Sequence, residues 1–242
     1  MKKLLLSLLL LCGIVVSCDD GRIYEKEIVI PKEGFTLKLT GSLSGMDSWP
    51  SKYSLVLASF NANDEEHEYA AKSVAVPTSY NNAGTISFCM DGLKDVGDLE
   101  LCVINRLRKR VVSFQKIAKD DIVITNDTVY MNVGNLDVDM FKSIQTSIFD
   151  AKCISCHGSQ GKAPRNLFLT EGKSYSHLVN VQSSSAPEYK LVDPTSASKS
   201  LLPIILNEDG ILHHAHADIL EGRLKSTQIT LIKDWIKNGA KE

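Results

Sequence analysis

Two hydrophobic rhythms divide the chain. From Glu27 to about Val133, apolar and polar residues alternate in short stretches separated by Gly, Pro, Asn and Asp, the pattern of half-buried strands. Candidate strands fall at 27–30, 35–40, 53–60, 69–76, 85–90, 99–107, 111–117 and 128–133, with turn signals at 31–34, 81–84 and 91–92. The basic run Arg106, Arg108, Lys109 and Arg110 reads as a solvated hairpin turn. After Asn135 the period changes. Phe141, Ile144, Ile148 and Phe149 make the stripe of an amphipathic helix that runs directly into Cys153. Residues 183–185 with Pro187 mark a loop, and 198–206 a short helix broken or shifted by Pro203. Ser226 is placed to N-cap a last helix with an apolar face of Ile229, Ile232, Trp235 and Ile236 and a stop at Gly239.

The predicted fold is therefore two domains: an N-terminal all-β sandwich, immunoglobulin-like or fibronectin-like, over 24–137, and a mainly α domain over 141–242. At the front of the chain, Lys2 and Lys3 precede an apolar run, 4–16, broken only by Ser7 and Gly13 and too short to span a membrane comfortably. It reads as an export signal. Its end, Val15-Val16-Ser17-Cys18, resembles the lipobox of bacterial lipoproteins, which implies that 1–18 is a lipoprotein signal with Cys18 lipidated. Several acyl chains on Cys18 would hold the protein to a membrane of the bacterial cell envelope, periplasmic or surface-exposed; the alternative is an ordinary signal cut near Ser17 that leaves Cys18 free.

The 225 residues after position 17 suffice for two modest domains, and charge also divides them. Residues 19–140 carry 13 Lys and Arg against 19 Asp and Glu, net −6, while 141–242 carry 12 against 10, net +2. Neither part has the concentrated basic face that nucleic acid demands. The acidic cluster Asp64, Glu65, Glu66 and Glu68, with His67 inside it, reads as a solvated loop rather than a Ca²⁺ site. Gly41-Ser42-Leu43-Ser44-Gly45 has the glycines of a nucleophile elbow but Leu43 where the serine would stand, so it reads as a loop.

Cys153, Ile154, Ser155, Cys156 and His157 form C-x-x-C-H, the attachment sequence for covalent haem. Two thiols a helical turn apart can each form a thioether with one porphyrin vinyl group, and the adjacent imidazole lands beneath the iron. The composition predicts only about 0.004 chance matches, which argues against coincidence. Rival readings are a C-x-x-C redox pair, which wants a βαβ surround absent here, and half of a zinc site. Of the other cysteines, Cys12 leaves with the signal and Cys18 takes lipid. Cys89 and Cys102 remain, and alternation places both on strand faces opposite the apolar ones, leaving a disulfide or two free thiols open.

Helix, C-x-x-C-H, loop and closing amphipathic helix is the order of a small class I cytochrome c, and 141–242 resembles that family as it occurs in exported bacterial proteins. The likeness is carried by residues 148–158, by 191–194 with 200–202, and by 231–240. It implies one covalent haem c with His157 as proximal ligand, oriented through Nδ1 by a backbone carbonyl near Pro164, although the spacing departs from that of similar cytochromes. The family's distal Met is missing. The five methionines are residues 1, 46, 90, 131 and 140, and the expected position holds Leu212-His213-His214-Ala215-His216. Bis-His ligation is therefore expected, with His216 first, then His214 and His213; Met131, Met140, a Lys or an open sixth site are the alternatives, and His177 reads as an ordinary helix or loop residue.

The resulting expectation is a membrane-anchored electron carrier rather than an enzyme, with the redox partner protein unspecified. Alternatives are a haem peroxidase or gas sensor with an exchangeable sixth ligand, and a surface interaction lipoprotein whose Cys153, Cys156, His157 and a later His bind zinc.

Overall fold

The computed structural model describes residues 33–61, 68–158, 163–207, 216 and 224–242. Cys18, the strand expected at 27–30, Asp64 to His67, His213 and His214 lie outside the described residues.

Seven strands follow the alternating region: β1 Phe35–Ser44, β2 Tyr53–Asn61, β3 Ala70–Ala75, β4 Ile86–Leu93, β5 Val96–Asn105, β6 Arg110–Ile117 and β7 Thr128–Asp137. They form two sheets, ordered β4-β1-β7 and β3-β2-β5-β6. Period-two alternation sends Leu37, Leu39, Ile86, Met90, Val129 and Met131 of the first sheet into one core with Leu55, Leu57, Leu99, Leu101 and Val103 of the second. The four-stranded sheet is antiparallel, whereas β1 pairs antiparallel with β4 and parallel with β7. The central strands β2 and β5 are buried on both faces. Val56, Ala58, Phe60, Cys102 and Ile104 make a second cluster on the outer side, where Arg110 lies over Phe60 and pairs with the fully buried Glu100.

Two expected loops are strand instead. Residues 41–44 complete β1, and their glycines serve packing. Gly41, at φ +139°, sits at a register shift between β1 and β7, where a Cβ would come within 2.6 Å of the Gly134 carbonyl. Gly45, at φ +76°, would drive a Cβ to 2.6 Å from the Asp139 amide. Asp91-Gly92 likewise falls inside β4; the chain turns at Lys94 and Asp95 to cross to β5 in the other sheet, and Asp95 takes a φ of 47°. The basic run is a hairpin turn as expected, with Arg108 N–H donating to Asn105 O.

β7 leads into one helical run, α1, made of Met140–Ile144, a π-helical stretch Gln145–Cys153 and the turn Ile154–His157. Asp139 caps it, accepting from the Phe141 and Lys142 amides at 2.7 and 3.2 Å. Two short helices follow, α2 Ser174–Leu178 and α3 Leu201–Ile205, then α4 Ser226–Lys237. Pro203 lies in the first turn of α3, where its missing N–H costs no helical hydrogen bond. Ser226 is the first residue of α4 rather than its cap; the cap position is Lys225, whose amide donates to Gln228 Oε1 at 2.9 Å. Gly239, at φ 92°, ends α4, and Ala240 N–H donates back to Trp235 O.

The helical region shares the sandwich's core. Phe141, Ile144, Ile148, Phe149, Leu231, Ile232, Trp235 and Ile236 belong to the same buried cluster as the inner faces of the sheets. Polar contacts fix the junction: Trp49 Nε1 donates to Val138 O at 2.6 Å, Met140 N to Ser48 Oγ at 2.8 Å, and Asn238 Nδ2 to Ser48 O at 3.0 Å. Among the described residues, no helix is long and apolar enough to cross a membrane.

Candidate haem site at the end of helix α1

The apolar stripe of α1 buries Ile148 and Phe149 completely and brings Cys153 to the edge of the core. In the π-helical stretch the backbone bonds reach five residues back, as when Ile154 N–H donates to Phe149 O, and Cys153 Sγ lies 3.7 Å from Ile148 O by the same spacing. Such wide turns are rare and gather at functional positions. This one sets the angle at which the C-x-x-C-H turn leaves the core, with Cys153 half-buried and Cys156 exposed.

Burial pushes the Cys153 thiol up to about 11, with Cys156 and Asp150 adding to the shift. The thiol therefore stays protonated at neutral pH. A disulfide-exchange nucleophile is activated the opposite way, by a lowered pKa, so this environment counts against a C-x-x-C redox pair.

His157 is held from both ends. Its Nδ1–H donates to the Leu167 carbonyl at 3.0 Å, and its own carbonyl accepts from Leu169 N at 2.9 Å. Since a carbonyl can only accept, the bond fixes the proton on Nδ1 and leaves the Nε2 lone pair for a metal. The orienting carbonyl stands three residues beyond Pro164.

His216 comes back to this ring. The imidazoles of His157 and His216 have centroids 6.2 Å apart and planes within 22° of parallel. Two imidazoles bonded trans to one metal through nitrogen, each at about 2 Å, put their ring centres about 6 Å apart; on a tetrahedral ion the same rings come to about 5 Å. Among the described residues, no three Cys, His, Asp or Glu side chains converge as a metal-ligand group. The spacing and the near-parallel planes of the two imidazoles are compatible with both rings ligating one iron beside the two thiols of the C-x-x-C-H turn.

No protein-family model, curated protein or solved structure matches this chain.

The other candidates lie elsewhere. Met131 points into the sandwich core from β7, and Met140 is buried at the start of α1. His177 sits on α2 with its ring 5.4 Å from Phe168 in an edge contact. Glu68 of the acidic cluster pairs with Lys109 at 2.8 Å, which holds its carboxyl below the usual range. Cys89 and Cys102 are free thiols on β4 and β5, strands of different sheets. The alternation that turns both away from apolar faces aims them outward from opposite sides of the sandwich, so the disulfide does not form.

Sequence reasoning placed an orienting carbonyl near Pro164 without singling out Leu167, and it passed over Gln145. A backbone acceptor leaves no mark in side-chain identity. Gln145 does leave one: a polar residue four positions after Phe141, on the apolar stripe, whose side chain is buried and bonded to Asp150, Leu169 and Ser174.

Proposed function

We propose that this protein is a lipid-anchored c-type cytochrome that carries electrons in the bacterial cell envelope, with haem c bound through Cys153 and Cys156 and ligated by His157 and His216. The observation that carries this reading is the pairing of the two near-parallel imidazoles beside the C-x-x-C-H turn. The haem, when bound, supplies a reversible one-electron iron couple. The chain supplies the rest. Cys153 and Cys156 would tether the porphyrin, Leu167 O keeps the His157 proton on Nδ1, and His157 and His216 would ligate the iron.

With two protein ligands on the iron, peroxide and oxygen would find no vacant coordination site, which favours electron transfer over catalysis. Imidazole in place of thioether lowers the reduction potential. The sandwich, in this proposal an immunoglobulin-like or fibronectin-like module behind a lipidated Cys18, forms the body on which the haem-binding helix is mounted.

The test is expression of the full chain with a haem maturation system, followed by visible spectra of wild type and His216→Ala. The expected result is a low-spin spectrum in the wild type, without a sulfur-to-iron charge-transfer band, that becomes high-spin in the variant. A colourless protein from a competent host refutes the cytochrome, and zinc in its place supports the interaction lipoprotein. Rapid carbon monoxide binding to the reduced wild type supports the sensor or peroxidase reading.

A further inference from the structure

Gln145 enters α1 at its change of helical pitch and is 2% exposed. Its amide is saturated: Nε2 donates to Leu169 O at 2.9 Å and to Asp150 Oδ1 at 2.7 Å, and Oε1 accepts from the buried Ser174 hydroxyl. Leu169 is where the segment after the C-x-x-C-H turn comes back against α1. Its amide donates to the His157 carbonyl, and two residues earlier Leu167 O accepts from His157 Nδ1. Residues 167–169 thus form a short strap between two anchors, His157 at one end of α1 and Gln145 twelve residues earlier. The ion pair of Lys142 with Glu171 adds an exposed third tie.

We infer that Gln145 is a positioning residue for the proximal histidine, acting through the strap by holding Leu169 O so that Leu167 O stays aimed at His157 Nδ1. This deepens the cytochrome proposal and rests on it for its electrochemical consequence. A buried primary amide suits the role because it can donate to a carbonyl and a carboxylate while accepting from a hydroxyl, so the strap is fixed without placing a charge near the site. Without the Nε2 donor, Leu169 O becomes a buried acceptor lacking its partner, and the strap relaxes away from α1 to regain one. The His157 ring then loses its fixed tautomer and orientation, and its nitrogen becomes a weaker donor to iron.

The variants are Gln145→Met, which keeps length and removes every hydrogen bond, and Gln145→Glu, which keeps an acceptor for Ser174 and removes the donors. Ser174→Ala is the control, because it breaks the Oε1 bond and leaves the strap tied. In the haem-loaded full chain, both Gln145 variants are expected to shift the midpoint potential, Gln145→Met upward. They should also alter the low-spin paramagnetic resonance spectrum, which reports the angle between axial imidazole planes. Ser174→Ala should lower thermal stability and leave both readouts at wild type.

A second measurement needs no haem. In the cofactor-free full chain, nitrogen-15 NMR should find wild-type His157 in the Nδ1–H tautomer. The Gln145 variants should mix the tautomers and speed Leu169 amide exchange about tenfold. An Nε2–H tautomer in the wild type overturns the inference, as do wild-type potential, resonance and tautomer in a folded Gln145→Met, or an equal shift in Ser174→Ala. Wild-type protein that takes up no haem sinks the cytochrome reading alone, and the tautomer result still decides the role of Gln145.

Discussion

Tyr53 donates its phenolic proton to the buried carboxylate of Asp234, joining strand β2 to helix α4 across 181 residues of sequence. Lys52 approaches the same carboxylate oxygen at 2.5 Å, so one acidic group of α4, 3% exposed, receives a neutral donor and a cation from the sandwich. Tyr53→Phe leaves that carboxylate with Lys52 alone and is expected to cost about 1–3 kcal/mol in urea unfolding.

The same contact gives a pH prediction. Burial, then the hydrogen bond to Asp234, pushes the Tyr53 phenol far above its ordinary value. A group whose folded pKa is raised holds its proton more tightly in the folded state. Its contribution is complete below the unfolded pKa of about 10 and is lost as pH rises from there toward the folded value. Wild type should lose stability through this alkaline window more steeply than Tyr53→Phe, measured by thermal melts in series from pH 8 upward; parallel slopes would disprove the linkage.

The helical part should not stand alone. Phe141 stacks on Trp235 at 5.0 Å, and both belong to the core cluster that includes the inner faces of the sheets. A fragment beginning at residue 138 exposes the side of α1 and α4 that the sandwich covers, so it should bind a hydrophobic dye and show no cooperative melt. A sharp thermal transition in that fragment would show an independent fold.

Ala151 is exposed in the π-helical stretch, so its deletion removes no buried side chain. It does turn everything beyond it by about 100° around the helix axis. Cys153 and His157 then leave the positions from which His157 meets Leu167 O and His216. The far-ultraviolet spectrum should stay native while covalent haem incorporation falls below detection, whereas substitution of Ala151 by Ser should leave incorporation intact.

Cys89 should react with a thiol reagent in the native protein, and Cys102, completely buried among Phe60, Val56 and Ile104, only after denaturation. Peptide mapping by mass spectrometry reads both positions. A linked peptide containing the two cysteines would contradict the free thiols on separate sheets.

The strands were legible wherever one face alone is buried. β4 and β7 alternate cleanly, and β6 starts within one residue of its expected position. The ends of β1 and β4 were not, because their glycines read as turn formers; Gly41 serves instead for close approach to the Gly134 backbone, and Gly92 lies within β4. Pairing escaped as well: period-two patterning says which face of a strand is buried and not which strand lies beside it, which is why the sequence left a disulfide or two free thiols open at Cys89 and Cys102. At the candidate site, the residues proposed to hold the haem, Cys153, Cys156, His157 and His216, stood out by type and position in the sequence. Leu167 acts through its carbonyl and Gln145 through a buried amide, and neither is marked by a motif.

Strand β1 and strand β7 run in the same direction along their shared ladder, and β7 continues directly into α1. A pull between the leading end of β1 and the trailing end of β7 therefore acts along the strand axes in opposite senses and loads the evenly spaced ladder bonds together rather than peeling them one at a time. A load applied ahead of β1 and at α1 would therefore meet the fold in its more resistant direction.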